Sequence, residues 1–215
     1  MKKPLLQVAL DHLNLPDALA ASRSLAAEVD VLEAGTILCA AEGARAIAEL
    51  RALYPKHTIV ADLKVADAGA VLAEMVFSRG ADWMTVICCA PYATMEKALE
   101  VGRTYKGDIQ IELYGDWTFD QAAEWKRIGL KQAIYHRGRD AQAAGKGWDE
   151  DDLGKIRRLA EMGFEVSITG GLKPKDVAQF AGIPAKAFIS GRTLYGSDDP
   201  AASARAFREA IACEW

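Results

Sequence analysis

A chain of 215 residues, 51% hydrophobic and 26% charged, is long enough to bury a sizeable core and too apolar to stay disordered. Its net charge of -4, pI of about 5.5 and scattered lysines and arginines leave no basic surface for nucleic acid or an anionic membrane, although a small anion at a local cationic site is still allowed. The apolar run after Met1-Lys2-Lys3 is too short for a secretion signal, Asp11 ends it, and no stretch approaches a membrane span. Cys39, Cys88, Cys89 and Cys213 lack metal-ligand spacing and read as buried, reduced thiols of a cytoplasmic protein.

Short apolar runs recur at regular intervals: Leu5 to Leu10, Val29 to Leu32, Thr58 to Ala61, Trp83 to Ile87, Ile109 to Ile111, Gln132 to Tyr135, Glu165 to Ile168 and Ala187 to Ile189. Helical spacing fills the intervals, as in Leu15, Leu19 and Ala26, in Ile47, Leu50 and Tyr54, and in Leu72, Met75, Val76 and Arg79. Thr118 with Gln121 predicts a capping box, and Asp199-Pro200 an N-cap followed by a first-turn proline. Gly80, Gly107, Gly129, Gly163 and Gly182 stand where a helix must end in a left-handed residue. Strand-helix units without a linker predict an α/β fold, a single (β/α)8 TIM barrel domain over residues 1–215. A doubly wound open sheet is the alternative, but Asp11-His12-Leu13-Asn14 stands where that fold carries its glycine-rich turn.

A barrel gathers its chemistry at the C-terminal ends of its strands. Those ends read Asp11, Glu33, Asp62 with Lys64, Cys88, Glu112, His136, Thr169-Gly170-Gly171 and Gly191-Arg192. Side chains alternate along a strand, so Asp62 and Lys64 point the same way, with Asp67 at the start of the next helix. Gly170, Gly171 and Gly191 let main-chain amides approach an anion, and Arg192 adds a bidentate cation, which suits phosphate. Glu33, Asp62 and Asp11 place carboxylates at one depth; they hold a divalent cation, for which oxygen ligands favour magnesium, or Lys64 neutralises them without metal. His136 opens the longest connection, to Trp148, and is the strand-end group expected to titrate near neutrality. His57 reads as plain surface, and His12 is left open. An exposed ion-pair turn and two ordinary glycine turns would explain the same residues blandly, but their joint position at strand ends favours a site.

These residues resemble the orotidine 5'-monophosphate decarboxylase superfamily. The match runs through Val8-Ala9-Leu10-Asp11, Glu33-x-Gly35-Thr36, Asp62-x-Lys64-x-x-Asp67, Glu112, Tyr135-His136-Arg137, Arg139 to Gly145, Thr169-Gly170-Gly171 and Gly191-Arg192. Glu33 resembles the metal-dependent branch, where the nucleotide decarboxylases look as if they carry a second lysine. The resemblance implies Mg2+-dependent decarboxylation of 3-keto-L-gulonate 6-phosphate, a phosphorylated keto-sugar acid, to L-xylulose 5-phosphate and CO2 through an enediolate. It implies Glu33 and Asp62 as metal ligands, and Lys64 as donor to the enediolate. Asp67 would come from the facing subunit of a homodimer with active sites at the interface. Glu112 would hold a substrate hydroxyl or a water, and His136 and Arg139 would position or supply an acidic water. Asp11, Thr169, Gly170, Gly171, Gly191 and Arg192 would bind substrate.

Two other readings compete. A 3-hexulose 6-phosphate synthase shares the enediolate chemistry, but Arg139 and Thr169 look like the decarboxylase pattern. A non-catalytic sugar-phosphate-binding barrel would keep Gly171, Gly191 and Arg192 without needing Lys64, Glu33 and His136 together. Leu63 departs from the small residue expected between Asp62 and Lys64, and its side chain is predicted to face outward.

Overall fold

The computed structural model describes residues 2–138, 143–145 and 147–215. Strands β1 (Leu5–Leu10), β2 (Val31–Ala34), β3 (Thr58–Val65), β4 (Trp83–Ile87), β5 (Asp108–Leu113), β6 (Gln132–His136), β7 (Glu165–Thr169) and β8 (Ala185–Ser190) pair in sequence order, all parallel. β8 pairs with β1 and closes the barrel, as predicted. Parallel neighbours require the chain to cross back outside the sheet, which the helices do. They are α1 (Leu15–Leu25), α2 (Thr36–Glu42), α3 (Arg45–Leu53), α4 (Gly69–Phe77), α5 (Tyr92–Thr104), α6 (Phe119–Arg127) and α7 (Glu150–Glu161). A 3-10 helix, Pro174–Phe180, replaces an α-helix before β8, and α8 (Arg192–Tyr195) and α9 (Pro200–Glu214) follow it.

The core lies between the strands and the helix ring. Leu6, Val8 and Leu10 of β1 belong to it, as do the fully buried Trp125, Phe180, Phe188 and Phe207. Strand alternation turns Leu5, Gln7 and Ala9 of β1 into the barrel, where several of the side chains are polar. Gln7, Gln110 and Ser167 are fully buried and Gln132 nearly so. Gln110 Nε2 donates to Gln132 Oε1 at 2.9 Å, and Gln132 Nε2 donates to Asp108 Oδ2 at 2.8 Å.

Thr118 and Gln121 form the predicted capping box, and Asp199 accepts from the Ala202 amide at 2.8 Å. Four expectations need correction. The second strand begins at Val31, two residues later than the apolar run suggested, which puts Glu33 inside the ladder. α2 was not foreseen; Gly43 at φ 59 ends it and separates it from α3. Lys106 at φ 61 takes the left-handed position expected of Gly107, whose own constraint is space, since a Cβ there would lie 2.4 Å from Phe77 Cε1. Cys39 and Cys88 are buried, but Cys89 and Cys213 are exposed, and all four are free.

Candidate active site

β3 does not stop at Ala61. It continues to Val65, and its pairing with β4 shifts register between Ala61 and Val65, with Lys64 at φ 46. A left-handed lysine is strained by about 1–3 kcal/mol and persists only where its surroundings fix it. Thr85 of β4 is that fixture: its hydroxyl accepts from the Lys64 amide at 2.8 Å and donates to Asp62 Oδ1 at 2.7 Å. Leu63 packs against the outer core, as predicted.

The irregularity sends Asp62 and Lys64 into one cavity of about 570 Å3 at the C-terminal mouth of the barrel. Lys64 Nζ lies 2.5 Å from Asp62 Oδ2, 2.7 Å from Thr36 Oγ1 and 3.1 Å from Glu112 Oε2. Thr36 donates to Asp62 Oδ2 at 2.5 Å. On the far side, His136 Nδ1 lies 2.6 Å from Glu112 Oε1 and its Nε2 lies 3.2 Å from the Tyr114 hydroxyl. With the ring neutral, Nδ1–H donates to Glu112 and the phenol donates to Nε2.

Three carboxylates, Glu33, Asp62 and Glu112, are buried around one ammonium. Burial, then the charge of Asp62, pushes Glu33 and Glu112 well above the usual carboxylate range. Burial would also raise Asp62, but the charge of Lys64 and hydrogen bonds from Lys64, Thr36 and Thr85 outweigh it and hold Asp62 low. Burial disfavours the Lys64 ammonium, yet Asp62 and Glu112 outweigh it and hold Lys64 above its ordinary value. His136 does not titrate near neutrality as expected: burial, then the charge of Lys64, lowers it to about 4.

Excess negative charge suits a cation. Magnesium is commonly bound by one or two carboxylates and keeps its other positions for water and substrate, a donor set with which Glu33 and Asp62 would be compatible. Both line the cavity. Among the described residues no three His, Cys, Asp or Glu side chains converge as a complete cage.

The opposite wall has features that suit an anion. Gly170 at φ 122 has no room for a side chain, since a Cβ would sit 2.3 Å from the Arg137 carbonyl oxygen. Arg137 Nε donates to the Gly170 carbonyl at 3.0 Å and steadies that turn. Thr169 Oγ1 donates to the Ile189 carbonyl at 3.2 Å, and Gly191 leads directly into Arg192 at the start of α8. Asp11, Thr169, Gly170, Gly171, Gly191 and Arg192 all line the cavity with Glu33, Asp62, Lys64, Glu112 and His136.

Residues 4–207 match the model of the orotidine 5'-phosphate decarboxylase / HUMPS family. The chain belongs to this family. It is 49% identical to the 3-keto-L-gulonate-6-phosphate decarboxylase of Salmonella paratyphi B, over the whole of both chains. A KGPDC from Streptococcus mutans superposes with a TM-score of 0.98 at 48% identity, again over the whole of both chains. A 3-hexulose-6-phosphate synthase from Salmonella typhimurium has a TM-score of 0.92 at 26% identity over 98% of this chain and 100% of its own. A further structure of a 3-hexulose-6-phosphate synthase stands at 0.89 and 32%, over 96% of this chain and 99% of its own.

One expected site residue of this decarboxylase-family chain is not in the cavity. Asp67 is exposed outside it, and its Oδ1 accepts from the Ala68 amide at 2.7 Å. Arg139 lies outside the described residues. Thr85 and Tyr114 had not been singled out, and Thr36 only as part of a matched segment. Strand alternation marks Tyr114, two positions beyond Glu112 and so aimed at the same mouth. The His12 ring lies against Tyr195, tilted by 46° with centroids 4.4 Å apart, and His57, rather than lying free on the surface, is half-buried with Nε2 2.8 Å from the Ala26 carbonyl. Among the described residues no helix is long and apolar enough to cross a membrane.

Proposed function

We propose that this family member is a carboxy-lyase that converts 3-keto-L-gulonate 6-phosphate to L-xylulose 5-phosphate and CO2 with Mg2+. The reading rests on one observation: the Lys64 ammonium is held between Asp62 and Glu112 on one wall of a cavity whose other wall is Gly170, Gly171, Gly191 and Arg192. A cation and a phosphate cradle at opposite sides suit a substrate that is reactive at one end and phosphorylated at the other. Sequence identity of 49% over the full length of a named decarboxylase supports the substrate.

Arg192 and the glycine amides bind the phosphate, and Asp11 and Thr169 orient the sugar hydroxyls. The bond from the carboxylate carbon to its neighbour breaks, and its electron pair passes into the adjacent ketone to give an enediolate. Lys64 donates a hydrogen bond to the oxygen on which that charge gathers. Glu33 and Asp62 would hold Mg2+, which supplies positive charge that favours the enediolate. A water then gives a proton to the former carboxylate-bearing carbon. His136, neutral and clamped between Glu112 and Tyr114, positions that water rather than acting as an imidazolium acid, and the family resemblance assigns Arg139 to the same step.

The enzyme works in the cytoplasm as a homodimer in which Asp67 serves the partner's cavity. Its exposure, its place outside its own cavity, and the exposed Val71 nearby on α4 support this. Mg2+-dependent CO2 release from 3-keto-L-gulonate 6-phosphate tests the reaction. Condensation of formaldehyde with ribulose 5-phosphate as the faster reaction would mark a synthase instead, and neither activity would leave a binding barrel.

A further inference from the structure

Asp62 is held by Thr36, Thr85 and Lys64. Glu33 has no such company: among the described residues its one side-chain hydrogen bond comes from Gln7, whose Nε2 donates to Glu33 Oε2 at 2.5 Å. Gln7 is 0% exposed and Glu33 6%, so the bond is shielded from water. Ala9 is the register partner of Glu33, and Gln7 faces the interior one rung lower, so its amide reaches up to the carboxylate from inside the barrel. With Glu33 ionised, the form that holds a cation, reversing the amide would set an acceptor against an acceptor, so Nε2 faces Glu33 in that form. Gln7 Oε1 is then left buried without a partner.

We infer that Gln7 is a positioning residue for the cation site: by occupying Glu33 Oε2 it fixes the carboxylate and leaves Oε1 for the metal. This rests on the reading of Glu33 and Asp62 as a cation site. Outer partners of ligating carboxylates typically change metal affinity by about 10- to 100-fold when removed.

Mn2+ binding to the purified full chain, followed by electron paramagnetic resonance without substrate, tests it. Gln7→Met keeps the volume and removes the donor, and should raise the Mn2+ Kd by about 10- to 100-fold. Gln7→Asn, too short to reach Glu33, should weaken binding as well and serves if Gln7→Met does not fold. Gln110→Met is the control, because Gln110 is equally buried, also carries an unpartnered Oε1 and donates only to Gln132. It should lower thermal stability and leave the Mn2+ Kd unchanged. An unchanged Kd in the Gln7 variants, or an equal weakening in Gln110→Met, would overturn the inference while the cation site stands. A wild-type chain that binds no Mn2+ would overturn both.

Discussion

Lys64 Nζ stands 3.1 Å from Glu112 Oε2, so a residue from a bulge in β3 is paired with one from β5 across the barrel mouth. Asp62 takes the other side of the ammonium at 2.5 Å. Lys64→Ala removes the proposed donor to the enediolate, and kcat should fall by at least about 100-fold. It also leaves Asp62 and Glu112 facing each other without a cation, so the variant should be relatively more stable at pH 5 than at pH 8. Steady-state kinetics and melting temperatures at the two pH values check both parts; near-normal turnover would remove Lys64 from the chemistry.

His136, lowered to about 4, should stay neutral throughout the physiological range. In the unfolded chain it takes up a proton near pH 6.5, so between that value and about 4 only the unfolded state gains the proton, and stability falls as pH falls through this window. Ring 15N resonances of His136 followed by NMR should show a neutral Nδ1–H tautomer from pH 8 down to 5.5. A midpoint near 6.5 would restore it as an imidazolium acid.

Arg192 is exposed at the rim, and among the described residues no ion pair holds it. Arg192→Ala should raise KM for the phosphorylated substrate on the order of 10- to 100-fold, with a smaller change in kcat. An unchanged KM would take Arg192 out of the phosphate site.

Asp67 tests the dimer. Asp67→Ala should abolish most activity with little loss of stability, because the side chain is exposed and, among the described residues, its one hydrogen bond is within its own loop. If each cavity takes Lys64 from one chain and Asp67 from the other, mixing inactive Lys64→Ala and Asp67→Ala chains with subunit exchange should restore about a quarter of wild-type activity, since half the dimers regain one intact site. No recovery in exchanged mixtures would refute the shared site.

Much of this architecture was legible in residue patterning. Trp83–Ile87 and Leu5–Leu10 are apolar enough to stand out as strands, and the ionisable groups at the ends of β2, β3, β5 and β6 do meet in one cavity. Glu33 was misplaced relative to its strand because a carboxylate inside a ladder looks like a strand end until its buried amide partner is known. α2 was hidden because it is only 7 residues long and follows the strand without a polar break. The pKa of His136 depends on burial and on Lys64, which is distant in sequence, so no local pattern could carry it.

The left-handed backbone at Lys64 ties fold and reaction together in an unfavourable sense. Glycine would relax the bulge at once, and among the twenty residues it is the one that removes the side chain altogether. Selection for a more stable β3 therefore pushes directly against the ammonium. A bulged third strand with a non-glycine residue at positive φ is accordingly a backbone mark of a working site, recognisable in a barrel even before any side chain is considered.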